Sequence, residues 1–506
     1  MTPLALVWLA CRSAPVGGGG AGPVDGSTWA STASAATAAT GTTAGRHTGD
    51  TTAPTLDGDG DGDGHLPPED CDDADAAVFP GAADPPGDQL DSDCDGVDGH
   101  AGAYAEGPWA LGEFGWSIAV ADIDDDGRDE VASGAAATSW WAYDDEVEAG
   151  AVLLFDEDLQ RQALLRGVPG AELGSSVVFL ESEGVPYLVT HTTEGQLFGG
   201  RTYLVPVAST PPDGAIIDDV ATTTIEGVHG ELGVRALHVL DGELWASAVG
   251  SGLDAPWYLL FLGGGPFDSA LAAAEVRLSL EPGHALGLET VSWGDGVALS
   301  QQNYEQQAGR VLAFDDRSAP MQEVDARTWV GPHGNASLGN DVVLLAQDGE
   351  QLLVLGAGGV TTSKGLEGAV YVCRGDSTGG LGDTVATITT SRAFTSLGWA
   401  LHAPGDVDGD GFDDLLVGAP GAGPLGDQPG RAYLFRGPLR GELTTADAAW
   451  VFYGTQAADE TGIGFGSGDF DGDGHVDLLI GRRSYEPPGM PFAGRIDRVL
   501  NTEIAW

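Results

Sequence analysis

Three nine-residue stretches carry carboxylates at a spacing suited to holding a cation: Asp122/Asp124/Asp126/Glu130, Asp406/Asp408/Asp410/Asp414 and Asp469/Asp471/Asp473/Asp477. Each reads Asp-x-Asp-x-Asp-Gly-x-x-Asp/Glu, with Gly127, Gly411 or Gly474 at the sixth place. Oxygens at alternate positions converge on one hard cation while the glycine makes the sharp turn. In each stretch four carboxylates and one main-chain carbonyl, of Arg128, Phe412 or His475, are placed to surround a calcium ion. A single copy reads equally well as an acidic turn. Three copies at one structural position point to calcium.

A fourth acidic region lies upstream. Residues 57–98 hold fifteen Asp or Glu and no Lys or Arg. Counting from Asp59, ligand types fall on Asp59, Asp61 and Asp63, with Gly64 at the sixth position and Asp70 at the twelfth. This arrangement resembles both the EF-hand loop and the thrombospondin type 3 calcium repeat. The whole stretch, Asp59 to Gly64, Asp70-Cys-Asp-Asp73, Pro80-Gly-Ala82 and Asp91-Ser-Asp93-Cys-Asp95-Gly96, also resembles a metal-binding motif of bacterial surface proteins. A cysteine usual in the middle of that motif is missing, leaving Cys71 and Cys94, which are expected to pair as a disulfide in an exported protein. Oxygen-rich donors favour calcium over copper here. His65 and His100 read as solvated rather than as ligands.

The elements that must position the three downstream stretches repeat with a period of roughly 50–65 residues, the mark of a propeller. An apolar residue followed by Gly recurs at Phe114-Gly115, Leu173-Gly174, Leu232-Gly233, Leu286-Gly287, Leu338-Gly339, Leu397-Gly398 and Ile463-Gly464. A second landmark is a strand opening on Gly, as in Gly150-Ala-Val-Leu-Leu-Phe155 and Gly430-Arg-Ala-Tyr-Leu-Phe435, with a looser copy at Trp257–Phe261. Seven copies of each predict an all-β, seven-bladed β-propeller over 101–506. Between the landmarks lies a hairpin. Its turn is a cation stretch in blades one, six and seven and a short Gly-containing turn elsewhere, such as Asp241-Gly242 and Asp348-Gly349. Too little chain follows Val499 for an outer strand in blade seven, so residues near 101–106 are expected to supply it and close the ring.

These landmarks are similar to the FG-GAP repeat of integrin alpha-chain propellers, the match including Phe114-Gly115, Asp406 to Asp414 and Gly418-Ala-Pro420. Blades two to five lack the cation stretch. The resemblance implies calcium on one face and ligand contact, often adhesive, on the other; it does not carry over a ligand identity.

Charge and address narrow the function further. The chain has 77 acidic and 21 basic side chains, a formal −56 over 506 residues, which excludes nucleic acid and anionic lipid as direct partners. Met1 to Ala10 followed by Cys11 resembles the end of a bacterial lipoprotein signal with Cys11 as the lipidated residue, which would make a lipid anchor the membrane contact; the alternative is an untargeted apolar start. Residues 12–55 are Gly, Ala, Ser and Thr with almost no large apolar side chain, so a disordered tether with a reach of about 35–40 Å is expected before the acidic segment at 56–100. No nucleophile elbow, P-loop, zincin helix or paired-Cys zinc motif stands in the sequence. His229, His284 and His333 precede three of the Gly landmarks and read as solvated loop residues, Cys373 as a core thiol, and Trp116 and Trp399 as core. The expectation is a calcium-binding, surface-anchored or secreted protein, not an enzyme, that binds a protein or glycan on the face opposite the calcium stretches. A secreted hydrolase or lyase on the same scaffold and a structural cell-envelope component are the alternatives.

Overall fold

A computed structural model describes Val78 and residues 103–504 apart from 110–111, 137–148, 169–170, 193–199, 209, 227–231, 251–255, 266, 268–273, 281–288, 363–364, 376–378 and 424–427. Cys11, the 12–55 segment, Asp59, Asp61, Asp63, Asp70, Cys71, Asp91, Asp93, Cys94, Asp95, His229 and His284 lie outside the described residues. The chain divides into two units, Met1–Phe79 and Pro80–Trp506, and the propeller belongs to the second.

Apolar runs bounded by Gly and Asp form short strands, and these assemble into seven successive antiparallel sheets, the blades. Blade one comprises Ile118–Ala121, Glu130–Ala135, Ala151–Phe155 and Arg161–Arg166. Blades two to five occupy 177–226, 232–279, 290–330 and 342–389. Blade six comprises Leu401–Gly405, Asp414–Ala419, Arg431–Phe435 and Trp450–Tyr453. Short parallel additions, Ala215–Ile216 and Gly441–Thr444, extend the outer edges of blades one and five.

Blade seven draws on both ends of the propeller. Thr461–Gly468, Asp477–Arg482 and Arg495–Val499 are completed by Tyr104–Glu106, which runs antiparallel to Arg495–Asp497 with Tyr104 opposite Asp497. The closing strand is thus supplied where the sequence placed it.

The apolar core is divided. Seven buried clusters each lie between two consecutive blades, including one that joins blade seven to blade one through Ala105, Phe114, Leu479 and Ile496. A central strand therefore buries both faces. All six residues of Glu130–Ala135 and all five of Ala151–Phe155 are buried. Cys373 lies in the cluster between blades four and five, the core position expected of it.

The Gly landmarks serve this packing. Phe114, Leu173, Leu338 and Leu397 each bridge the opening Gly of the preceding blade's third strand. At Gly174 a Cβ would lie 2.3 Å from the Ala151 carbonyl oxygen, and at Gly134 it would lie 1.7 Å from that of Gly174, so the blades approach too closely for side chains. In blade seven the bridging residue is Thr461, paired with Gly430, so the landmark there is Thr461-Gly462 rather than Ile463-Gly464. The sequence reading favoured an apolar residue before the glycine. Thr461 replaces it because its hydroxyl and amide bond the buried Asp459 at 2.7 and 3.1 Å.

A polar ring reinforces the inner strands. Ser117 accepts a hydrogen bond from Val177 N at 2.9 Å, Ser176 from Leu237 N at 3.3 Å, and Asp341 from Leu401 N at 2.7 Å, each linking one blade to the next. Trp116 and Trp399 are half-buried rather than core residues, because Arg483 stacks over the Trp116 ring at 4.4 Å and Trp399 sits against Gly358.

The seam also holds a buried ionic cluster. Arg482, fully buried, pairs with Asp459 at 2.6 Å and Asp497 at 3.5 Å, and Arg495 pairs with Asp497 at 2.5 Å while stacking on Tyr104. Removing one member of such a cluster leaves the others charged and dry, at a cost of about 3–5 kcal/mol. Arg482→Met is therefore expected to destabilise the propeller by that amount in urea unfolding. Arg161→Met, whose pair with Asp213 is exposed, should change stability by less than about 1 kcal/mol. A small effect of Arg482→Met would contradict a structural role for the cluster.

Burial holds the His238 ring down to about 4, with its Nε2 3.0 Å from Ser247 Oγ. In the unfolded chain the ring protonates near pH ~6.5. Between these values the unfolded state binds the extra proton, so stability falls as pH drops. In saturating divalent cation, melts at pH ~7.5 and ~5 should show this fall, and His238→Gln should make it shallower.

Candidate metal centres

The three cation stretches occupy the hairpin turns between the first and second strands of blades one, six and seven. Each folds around its first aspartate. Asp122 accepts hydrogen bonds from Asp126 N at 3.2 Å and Gly127 N at 3.0 Å. Asp406 does the same with Asp410 N and Gly411 N at 2.9 and 2.8 Å, and Asp469 with Asp473 N and Gly474 N at 3.1 and 2.9 Å. The glycines adopt φ of 90, 93 and 83°, a region open to glycine without steric cost, which makes the turn possible.

This wrapping gathers three carboxylates per turn. Ligand oxygens of Asp122, Asp124 and Glu130, of Asp406, Asp408 and Asp414, and of Asp469, Asp471 and Asp477 lie within 4.8 Å of one another in each trio. The fifth-place residues each use one oxygen within the loop. Asp126, Asp410 and Asp473 accept from the amides of Arg128, Phe412 and His475 at 2.9, 2.9 and 2.8 Å, within their own loops.

The last member of each trio opens a central strand and is buried. Burial pushes Glu130 up to about 7, against the hydrogen bond from Ile123 N at 2.8 Å, with repulsion from Asp124, Asp122 and Asp126 adding to the rise. Burial likewise raises Asp414 to about 6, opposed by the amides of Gly437 and Val407 and aided by Asp408. Asp477 rises to about 6 by burial, opposed by the amides of Asn501 and Phe470 and aided by Asp471 and Asp473. The rise is led by desolvation, with like charge adding to it. Three gathered oxygen donors, one of them buried, fit a hard divalent cation.

Blades two to five close the same hairpin with two-residue turns instead. Glu183-Gly184, Asp241-Gly242 and Asp348-Gly349 have positive φ at both positions, and Gly294 supplies it for blade four. Such turns match the strand twist and need no ion. His333 bonds backbone through both ring nitrogens, Nδ1 to Gly334 O at 2.8 Å and Nε2 to Thr361 N at 3.3 Å, a loop-fastening role.

One feature of blade six was not legible beforehand. Arg436, the residue after the third strand, places Nε 3.0 Å from Asp408 Oδ2. Blade one has Asp156 at this point and blade seven Leu500. Among the three trios as described, a guanidinium meets a trio carboxylate in blade six, where it would compete with a bound cation. Because Arg436 is 40 % exposed, its pair is worth about 1 kcal/mol or less. Arg436→Gln is expected to tighten cation binding at blade six about two- to fivefold by calorimetric titration. Unchanged or weaker binding would show that the arginine does not oppose the ion.

Comparison with known proteins agrees with this architecture. A family model described as "FG-GAP repeat" matches residues 114–155 and 397–435, and one described as "Putative metal-binding motif" matches 70–99. Phosphatidylinositol-glycan-specific phospholipase D of Homo sapiens is 32% identical over 145 residues, 28% of this chain and 17% of that protein. Integrin alpha-V of Gallus gallus is 31% identical over 119 residues, 22% of this chain and 11% of that protein. Integrin alpha-8 of Gallus gallus is 33% identical over 99 residues, 19% of this chain and 9% of that protein. The chain thus spans less than a fifth of the length of these relatives. Two of its blades match the FG-GAP model directly, and the protein is a seven-bladed β-propeller carrying FG-GAP repeats, with the match to the second model upstream in the sequence.

Proposed function

We propose that this protein is an exported, surface-held calcium-binding propeller that recognises a protein or glycan partner on the face opposite its three cation loops. The observation that carries the calcium reading is the trio of carboxylates repeated in blades six, seven and one, each with a buried member raised chiefly by its burial. In each loop the fifth-place carboxylate and the carbonyl of Arg128, Phe412 or His475 complete the proposed shell. Calcium takes six to eight oxygens in flexible geometry, which suits such a loop better than magnesium's stricter octahedron. We assign calcium also to the upstream segment through Asp59, Asp61, Asp63, Asp70, Asp91, Asp93 and Asp95, with Cys71 and Cys94 joined and Cys11 carrying the anchor.

Support for the opposite face comes from two aromatic side chains. Phe394 and Phe492 are 48% and 37% exposed and sit at φ of 62 and 54° in the loops on that side. A bulky residue held in left-handed backbone with its ring in water is strained without packing reward, a pattern met at ligand clamps. The integrin relatives favour recognition over catalysis as the role of such a propeller. The phospholipase D relatives favour the second reading, a propeller that accompanies a hydrolase.

Thermal melts of the full chain in calcium, in magnesium and in chelator, with bound calcium counted, test the reading. Occupancy at a hundred times Kd stabilises by about 2.7 kcal/mol per site. Calcium should raise the melting temperature well above magnesium and bind three or more ions, and Asp408→Asn with Asp471→Asn should remove much of the gain. A melt indifferent to calcium would leave the carboxylates as solvated charge and overturn the proposal.

A further inference from the structure

The three cation loops are not separate. Asp129, adjacent to Glu130 in the blade-one loop, grips the first carboxylate residue of blade seven from both sides of its peptide. Its backbone N donates to Asp469 O at 3.0 Å, and its Oδ2 accepts from Asp469 N at 2.7 Å. The two chains approach so closely that a Cβ at Gly468 would lie 2.7 Å from Asp129 Oδ2, and one at Gly472 would lie 3.2 Å from Arg128 Cγ. Residues 340 apart in sequence are thereby clamped into one unit.

A second link runs the other way. Asn501 N donates to Asp477 Oδ1 at 2.7 Å, and its Nδ2 donates to the carbonyl of Val407. Val407 N in turn donates to Asp414 Oδ2 at 3.0 Å. The buried carboxylate of blade seven is thus tied through Asn501 to the buried carboxylate of blade six. Beyond blade six the chain of contacts leaves the cation loops. Asp413, the counterpart of Asp129, accepts from Ala346 N at 2.6 Å in blade five, whose hairpin is the ion-free turn Asp348-Gly349.

We propose that Asp129 couples the calcium loops of blades seven and one, and that Asn501 couples those of blades six and seven, so that the three fill cooperatively. This rests on the reading that the loops take calcium. Empty, each loop holds several repelling carboxylates, and fixing one loop costs conformational freedom. An ion at Asp469, Asp471 and Asp477 fixes the Asp469 peptide, hence Asp129, hence the position of the neighbouring Glu130, so the second ion meets a loop already ordered. Repulsion between the two ions opposes this. It is weakened because each ion is offset by its own three carboxylates and the turns face solvent, where charges are screened beyond about 8–10 Å. Ordering through two direct hydrogen bonds outweighs it.

Equilibrium dialysis of the full chain against labelled calcium provides the test. The calcium lost on Asp124→Asn reports the blade-one site. Asp471→Asn, which disables blade seven, is expected to weaken that site about fivefold or more. In an Asp129→Ala background the same change should weaken it less than about twofold, whereas Asp129→Asn, which keeps an acceptor oxygen, should retain the coupling. Asn501→Ala should uncouple blade six, reported by Asp408→Asn, while leaving the effect of Asp471→Asn on blade one intact. It supplies an independent measurement should Asp129→Ala fail to fold. If Asp124→Asn, Asp408→Asn and Asp471→Asn release no calcium, the calcium reading falls and the coupling with it. If they release it but Asp471→Asn leaves blade-one affinity unchanged, or changes it equally with and without Asp129, the coupling alone is overturned.

Discussion

Everything in this molecule depends on closing a ring of sheets that are individually too small to be stable. A four-stranded blade buries apolar surface only by lying against its neighbours, so a blade at an open end would leave one face in water. The antiparallel pairing of Tyr104–Glu106 with Arg495–Asp497 removes that open end. With it the seventh apolar cluster, containing Phe114, Phe155, Leu479 and Ile496, becomes equivalent to the other six. Close approach at each interface follows from glycines such as Gly134 and Gly174, where carbonyl oxygens occupy the space a side chain would need.

The seam is treated differently from the rest of the ring. Ser117, Ser176 and Asp341 link inner strands elsewhere, but blade seven, where the chain ends meet, carries a dry arginine–aspartate cluster, and its acidic hairpin turn contacts that of blade one. Buried ion pairs contribute little net stability compared with apolar packing of the same volume, yet they tolerate few alternative arrangements. The cation loops add to this. Blades six, seven and one are consecutive around the ring, so ions bound there, as proposed, would stiffen the sector that includes the joint.

A net charge of −56 sets a second constraint. Self-repulsion on this scale opposes a compact state unless cations offset it. Within the propeller the offset is local. Arginines pair with carboxylates, as Arg483 with Glu460 and Arg310 with Glu323, while ions would offset the three carboxylate trios in the proposed reading. Arg436 stands between these two solutions, a guanidinium directed at a carboxylate that an ion would also use.

What the sequence determined by itself is what depends on local chemistry. Alternating aspartates before a glycine define a loop that wraps its first carboxylate, and the recurrence of Gly at strand openings counts the blades, because both follow from backbone geometry within a few residues. The missing strand after Val499 was legible for the same reason, as a shortfall in a repeat. The landmark of blade seven was displaced by two residues because its apolar residue had been exchanged for Thr461, whose value lies in bonding a buried aspartate. Only the tertiary structure decided which carboxylates gather into a trio, which are buried and which act between blades. Asp126, Asp129 and Glu130 are three carboxylates within five positions, and the spacing that sets Asp126 and Glu130 apart as ligand candidates says nothing of Asp129. Their roles differ because the ring brings Asp469, from the far end of the chain, against one of them and buries another, and hydrogen-bonding partners and desolvation are properties of the assembled fold.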